Sequence, residues 1–170
     1  YLTRLMQQVN DEGVIVMYEI TLEVRDAQNV LGRRGTSKLD EMGDWIATGM
    51  GMLSAHLAAH QAEMIGAPGA VYFTFPDDDS EVDAELFAPL AGPIPDGDGL
   101  VCHELPAGPV ARTLHVGPYE QVGPAYAALS EWIQRNGHET AGPPYEIYVT
   151  DPSEIPDPAD YQTEVVWPLR

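Results

Sequence analysis

Cysteine is almost missing: Cys102 is alone among 170 residues, so no internal disulfide can form and the small disulfide-stapled secreted classes are excluded. Lysine is as rare, with Lys38 the single one, and 8 basic residues face 27 acidic ones. The resulting formal charge of −19 opposes direct contact with nucleic-acid phosphates or an anionic membrane through these residues. Solubility is the plain meaning of such acidity; the sharper one is a field that concentrates cationic small molecules. No apolar run approaches the ~20 residues that cross a bilayer, and no signal peptide is visible. A cytoplasmic setting is therefore expected.

Hydrophobic residues make up 44% of the chain, enough for one globular domain, or for one domain built of two similar halves. The stretch from Arg112 to Pro152 reads as strand, turn, amphipathic helix and strand. Val122, Ala125, Tyr126, Leu129 and Ile133 recur at helical spacing and form an apolar stripe. Pro118 precedes this helix, Gly137 follows its last turn, and Pro124 puts its start between Tyr119 and Pro124. In Tyr145-Glu146-Ile147-Tyr148-Val149-Thr150 the side chains alternate across a pleat, so Glu146, Tyr148 and Thr150 share one face. The Ile147 and Val149 face is expected to lie under the helix. The other face then carries a carboxylate and a phenol roughly 6–7 Å apart along the strand, a pairing suited to holding a cation.

Taken in order, the chain opens on Tyr1, and Leu2, Leu5, Met6 and Val9 make a short apolar stripe ending at Asn10-Asp11-Glu12-Gly13. Two readings stand: the tail of a helix arriving from upstream (residues 1–13), or an N-terminal helix of this domain. Val14 to Val24 is a strand followed by a second around Val30-Leu31. Met42, Trp45, Ile46, Met50, Leu53, Leu57 and Met64 hold a helical period closed by Gly66, although Gly49 and Gly51 each weaken a helix by ~1 kcal/mol. Strands follow at Ala70 to Phe75 and Asp83 to Leu90. The turn between them, Pro76 to Ser80, carries Asp77, Asp78 and Asp79, but it lacks the spaced ligands and distal Glu of a calcium loop. Gly92 to Gly99 is a linker in composition, and beyond it the plan restarts.

That restart is an internal repeat. Gly66, Pro68, Tyr72, Thr74 and Pro76 recur as Gly142, Pro144, Tyr148, Thr150 and Pro152 at one constant offset; Glu85, Pro89 and Leu90 recur as Glu164, Pro168 and Leu169. Two β-β-α-β-β copies, about 14–91 and 100–170, imply an α+β fold: a largely antiparallel sheet with two long helices and a central cleft, where ligand pockets tend to form. Ala70 occupies the place of Glu146, so the symmetry breaks at the residue that looks chemical.

His115-Val116-Gly117-Pro118-Tyr119-Glu120, the helix with Trp132-Ile133, the strand Tyr145-Glu146-Ile147-Tyr148, Asp151-Pro152 and the closing Thr163-Glu164-Val165-Val166-Trp167-Pro168-Leu169 together resemble the GyrI-like effector-binding domain. That domain is the ligand-sensing module of multidrug-responsive transcription regulators of the MerR and AraC types. The similarity covers about Val14 to Arg170 and is stronger in the second half. It implies a pocket for lipophilic, often cationic, compounds with a buried Glu, for which Glu146 is the matching position. It also implies that Leu2 to Val9 is the end of a linker helix, with any DNA contact and any homodimer made through an upstream segment.

A buried carboxylate needs a positive partner, and an aromatic cation supplies one while stacking on rings. Tyr148, Tyr119, Tyr72 and Trp45 are the rings expected around Glu146. No metal, cofactor or catalytic residue is expected. His56 and His60 with Glu63 have a zinc-like spacing but too few ligands and read as a solvated helix face. Cys102 and His103, neighbours in a strand, point to opposite faces and make a poor nucleophile and base. His115 and His138 have no evident role. A small-molecule sensor is the favoured reading. Its alternatives are a GyrI-like hydrolase or sequestering protein, in which Glu146 handles a water and Tyr148 or Tyr119 acts as acid, and an inhibitor of a macromolecule working through the acidic surface.

Overall fold

Runs rich in Val, Ile, Thr and Tyr become strands here, and the two Ala- and Leu-containing stretches with 3.6-residue periodicity become helices. The structure, a computed structural model, describes residues 2–74 and 81–170. Its strands are β1 (Leu2–Val9), β2 (Ile15–Arg25), β3 (Gln28–Lys38), β4 (Gly69–Tyr72), β5 (Glu81–Pro89), β6 (Val101–Leu105), β7 (Gly108–Val116), β8 (Tyr145–Tyr148) and β9 (Gln162–Pro168). The helices are α1 (Met42–Ala59) and α2 (Gly123–Arg135), each preceded by a short 3-10 turn. The fold is α+β with antiparallel strand pairing, as the repeat requires. The turn expected at Pro76 to Ser80, with its Asp triplet, lies outside the described residues.

The chain forms two compact units. One comprises the chain up to Asp26 together with Ala107–Arg170; its strands run in the order β1-β2-β7-β9-β8, every neighbour antiparallel. Helix α2 covers one face, burying Ala125, Ala128, Leu129, Trp132 and Ile133 against Met6, Tyr18, Ile20, Ala111, Val165 and Leu169. At ~1.5–3 kcal/mol per fully buried large apolar side chain, this is the main force holding the helix on the sheet. The other unit, Ala27–Pro106, has the order β4-β5-β3-β6 and carries α1.

The duplication is visible in the strand register. Gly69, Ala70, Val71 and Tyr72 pair with Phe87, Leu86, Glu85 and Ala84; Tyr145, Glu146, Ile147 and Tyr148 pair with Val166, Val165, Glu164 and Thr163. Even a side-chain bond is repeated, the amide of Asp83 donating to Thr74 Oγ1 and that of Gln162 to Thr150 Oγ1, each at 2.9 Å. The first strand of each copy is exchanged: β2 pairs with β7 of the second copy, and β6 with β3 of the first.

Two expectations about helices change. Residues 2–9 are a strand, not a helix: β1 forms a hairpin with β2, closed by Asn10, whose Oδ1 accepts from the amides of Glu12 and Val14, and by Gly13 at φ +77°. Leu5, Met6 and Val9 imitate a helical stripe, yet only Met6 is buried while Leu5 and Val9 face away, 65% and 58% exposed. β2 supplies backbone partners that a lone two-turn helix lacks, so the two-residue period prevails. Helix α1 stops at Ala59, short of Gly66. Gln61 takes φ +52°, its amide donates to Ala58 O, and Ala62 N–H reaches back to Leu57 O at 2.9 Å. This is the usual left-handed helix stop with glutamine in the glycine's place. Gly137 ends α2 in the same way at φ +69°, and Pro124 fits in the first turn of α2, where no backbone donor is required.

Candidate functional site

Glu146 is the acid around which the first unit's polar interior gathers. It is buried, 7% exposed, although it sits in the middle of a sheet strand. Its cross-strand partner Val165 belongs to the core under α2, so the helix-facing side of β8 is the Glu146 and Tyr148 side. This reverses the expectation that Ile147 and Val149 lie under the helix. A four-residue strand with large side chains on both faces shows which residues are opposed, not which side the helix covers. The side away from α2 instead holds an ionic group in which Arg25 bridges Glu164 and Glu23 while Arg112 Nε binds Glu23 Oε2 at 2.9 Å. Arg25 also reaches the Tyr145 hydroxyl.

The carboxylate is met by α2. Tyr126 OH donates to Glu146 Oε1 at 2.8 Å, and the Tyr126 ring stands edge-on to Trp167, centroids 6.3 Å apart. Reading Tyr126 only as part of an apolar stripe missed it; the signal was a phenol in a stripe otherwise of Val122, Ala125, Leu129 and Ile133, since a buried Tyr hydroxyl needs a partner. Further along the strand, Tyr119 packs edge-on to Tyr148 at 5.5 Å and tilted on Tyr161 at 5.0 Å. Burial, and then the neighbouring Tyr161, Asp151 and Glu146, push the Tyr119 hydroxyl above its ordinary pKa, so it is a neutral hydrogen-bonding group at ordinary pH. Tyr161 gave no signal, lying in a Pro- and Asp-rich loop. Its ring is brought in because the amide of Gly117 donates to Tyr161 O at 2.8 Å.

The turn that aims Tyr119 explains its motif. His115 is 4% exposed; its Nε2 donates to Pro118 O at 3.1 Å, which leaves Nδ1 to accept from Tyr18 OH at 3.1 Å. Burial pulls the His115 pKa below the usual histidine value, the Pro118 carbonyl opposing only in part. Gly117, at φ +137°, has a conformation that side-chain-bearing residues rarely adopt. His115, without an assigned role in the sequence, is thus the brace of this turn.

Of the expected site residues, Glu146, Tyr148 and Tyr119 come together in the first unit. Tyr72 and Trp45 lie in the second, where with Ile46 they pack on Met42, Val82 and Ala84. Arg33 stands over the Trp45 ring at 4.8 Å, and a concavity of about 380 Å³ opens beside Trp45 and Lys38. Tyr72 is the repeat counterpart of Tyr148, but Ala70, fully buried, stands where the other copy has Glu146. Of the two histidines expected on a solvated helix face, His56 in α1 is 6% exposed with Nε2 donating to Pro95 O at 2.8 Å, while His60, just past the end of α1, is exposed with Nδ1 donating to His56 O. Among the described residues no three His, Cys, Asp or Glu side chains are grouped to hold a metal ion, and no helix is long and apolar enough to cross a membrane.

Comparison with solved structures extends the fold assignment. The C-terminal domain of EcmrR superposes with a TM-score of 0.79 at 19% identity, covering 90% of this chain and 98% of that one. EcmrR in its DNA complex gives 0.81 at 18% identity, again over 90% of this chain but only 57% of the other, so the present chain matches little more than half of that longer protein. SAV2435 bound to tetraphenylphosphonium gives 0.57 at 15% identity, covering 89% and 93%. No curated protein matches. A family model, described as the GyrI-like small molecule binding domain, matches residues 18–170. With that match running from β2 to the C-terminal residue, the chain belongs to the GyrI-like family of small-molecule-binding domains.

Proposed function

We propose that this domain is the effector-binding part of a transcription regulator and that it takes bulky lipophilic cations, with Glu146 as the counter-charge and Tyr148, Tyr119, Tyr126 and Tyr161 as the surrounding rings and hydroxyls. One observation carries the reading: a carboxyl group 7% exposed beneath a helix, met by a phenol hydroxyl and flanked by aromatic rings. A positive charge brought close to a carboxylate favours its ionised form, and an aromatic cation brings that charge together with cation–π contacts of ~0.5–2 kcal/mol each. The acidic surface, at net charge −19, favours cation approach. The likeness to a protein seen with tetraphenylphosphonium and to the C-terminal domain of a protein seen on DNA agrees with both parts of the proposal.

The test is a fluorescence titration with a cationic dye against wild type and Glu146→Gln. Because a hydrogen-bonded charge contributes about 1.5–3 kcal/mol, the variant should bind roughly 10- to 100-fold more weakly, with an unchanged thermal transition. Equal affinity in a folded Glu146→Gln protein would sink the proposal.

A further inference from the structure

Thr163 is a buried polar side chain beside the Glu146 site with no role in the arrangement described above. It lies on β9, fully buried at 0% exposure, with Tyr148 of β8 as its cross-strand partner on one side and His115 of β7 on the other. Two residues from Val165, it points to the α2 side of the sheet, the side of Glu146 and Tyr148. Its hydroxyl Oγ1 has no hydrogen-bond partner among the described residues. A hydroxyl so placed is rare, because burying it unsatisfied is unfavourable and a methyl of the same shape is not.

The repeat supplies a control within the molecule. Ala84 stands where Thr163 does, paired with Tyr72 as Thr163 is with Tyr148, and it belongs to a hydrophobic cluster with Met42, Val82, Trp45, Ile46 and Tyr72 that holds no carboxylate and no aliphatic hydroxyl. The copy with Ala70 thus has a methyl at this position, and the copy with Glu146 has an unsatisfied hydroxyl. Carboxylate and hydroxyl occur together on one face of one copy and are both missing from the other.

We infer that Thr163 is a second polar anchor of the ligand site, so that the site selects aromatic cations bearing a hydrogen-bonding nitrogen or oxygen several ångströms from the charge. The inference rests on the cation-binding reading of Glu146. Thr163 and Glu146 are diagonal neighbours on adjacent strands, which sets the separation of the two ligand groups at roughly 5–8 Å. Tyr148, next to Thr163 on this face, is the ring that turns aside to admit the ligand's polar atom. The hydroxyl can donate or accept, so it reads an amine, a hydroxyl or a carbonyl, but gives nothing to a purely hydrocarbon cation.

The experiment compares ethidium, whose ring amines lie away from its quaternary nitrogen, with the analogue lacking both amines, by calorimetric titration of wild type, Thr163→Val, Thr163→Ser and Glu146→Gln. Wild type should bind ethidium the more tightly. Thr163→Val should weaken ethidium about 3- to 10-fold, one ordinary hydrogen bond, and leave the analogue unchanged; Thr163→Ser should bind ethidium as wild type does. Equal loss for both probes, no loss for either, or weakened ethidium binding in the serine variant would overturn the inference. Should Thr163→Val not fold, the wild-type preference and the serine variant decide, and the absence of any preference is fatal. A Glu146→Gln protein that binds both probes undiminished defeats the cation reading while leaving any Thr163 discrimination visible. Failure of wild type to bind either probe defeats both.

Discussion

His115 shows how a single side chain ties stability to pH. Its ring is held by Tyr18 and Pro118 with only one proton to place, and burial lowers its pKa from the ordinary 6.5. Between that value and the lower folded one, the unfolded chain binds more protons than the folded chain, so this contribution is complete above pH 6.5 and is lost as pH falls through the folded pKa. Urea midpoints measured from pH 7 to 5 should therefore decline in wild type, and the decline should flatten in His115→Gln. A variant with an undiminished slope would assign the effect elsewhere. Glu146 was legible in the sequence because alternation and the broken repeat singled it out. Tyr126 and Thr163 were not, since a phenol in a helical stripe and a threonine in a strand are ordinary residues until their neighbours are known.

At the scale of the element, the two glycines of α1 were read alike and prove different. A Cβ on Gly49 would sit 2.7 Å from Leu86 Cδ2 and 3.2 Å from Arg33 Nη1, whereas among the described residues nothing lies within 4 Å of one on Gly51. Leu86 is fully buried and cannot withdraw. Gly51→Ala should stabilise the protein by about 0.5–1 kcal/mol through helix propensity, while Gly49→Ala should destabilise it by about 1–2 kcal/mol because overpacking outweighs that gain. Denaturant midpoints at constant m-value report both, and two alanines of like sign would contradict the close approach. The same scale exposed the misreading of β1 and of the end of α1. Short apolar spacings fit either period, and a left-handed glutamine looks like any other.

For the whole molecule, charge is the property most exposed to manipulation. At −19 the folded chain repels itself, and salt shortens the range of that repulsion from roughly 30 Å at 0.01 M to a few ångströms near 1 M. Raising sodium chloride from about 0.01 to 0.5 M should lift the thermal midpoint by a few degrees. A fall would mean that attractive pairs such as those of Arg25, Glu23 and Glu164 outweigh the net repulsion. What the sequence determined by itself was the kind and order of the main elements after β1 and the duplication, because propensity, periodicity and repeat spacing are properties of neighbours along the chain. Only the tertiary structure decided which face of β8 the helix covers, that β2 and β6 exchange between the copies, and that Tyr126, Tyr161 and Thr163 join Glu146 and Tyr148. A strand's alternation says which side chains are opposed; the interior side is chosen by whatever packs there, and here that is a helix whose one phenol reaches the carboxylate.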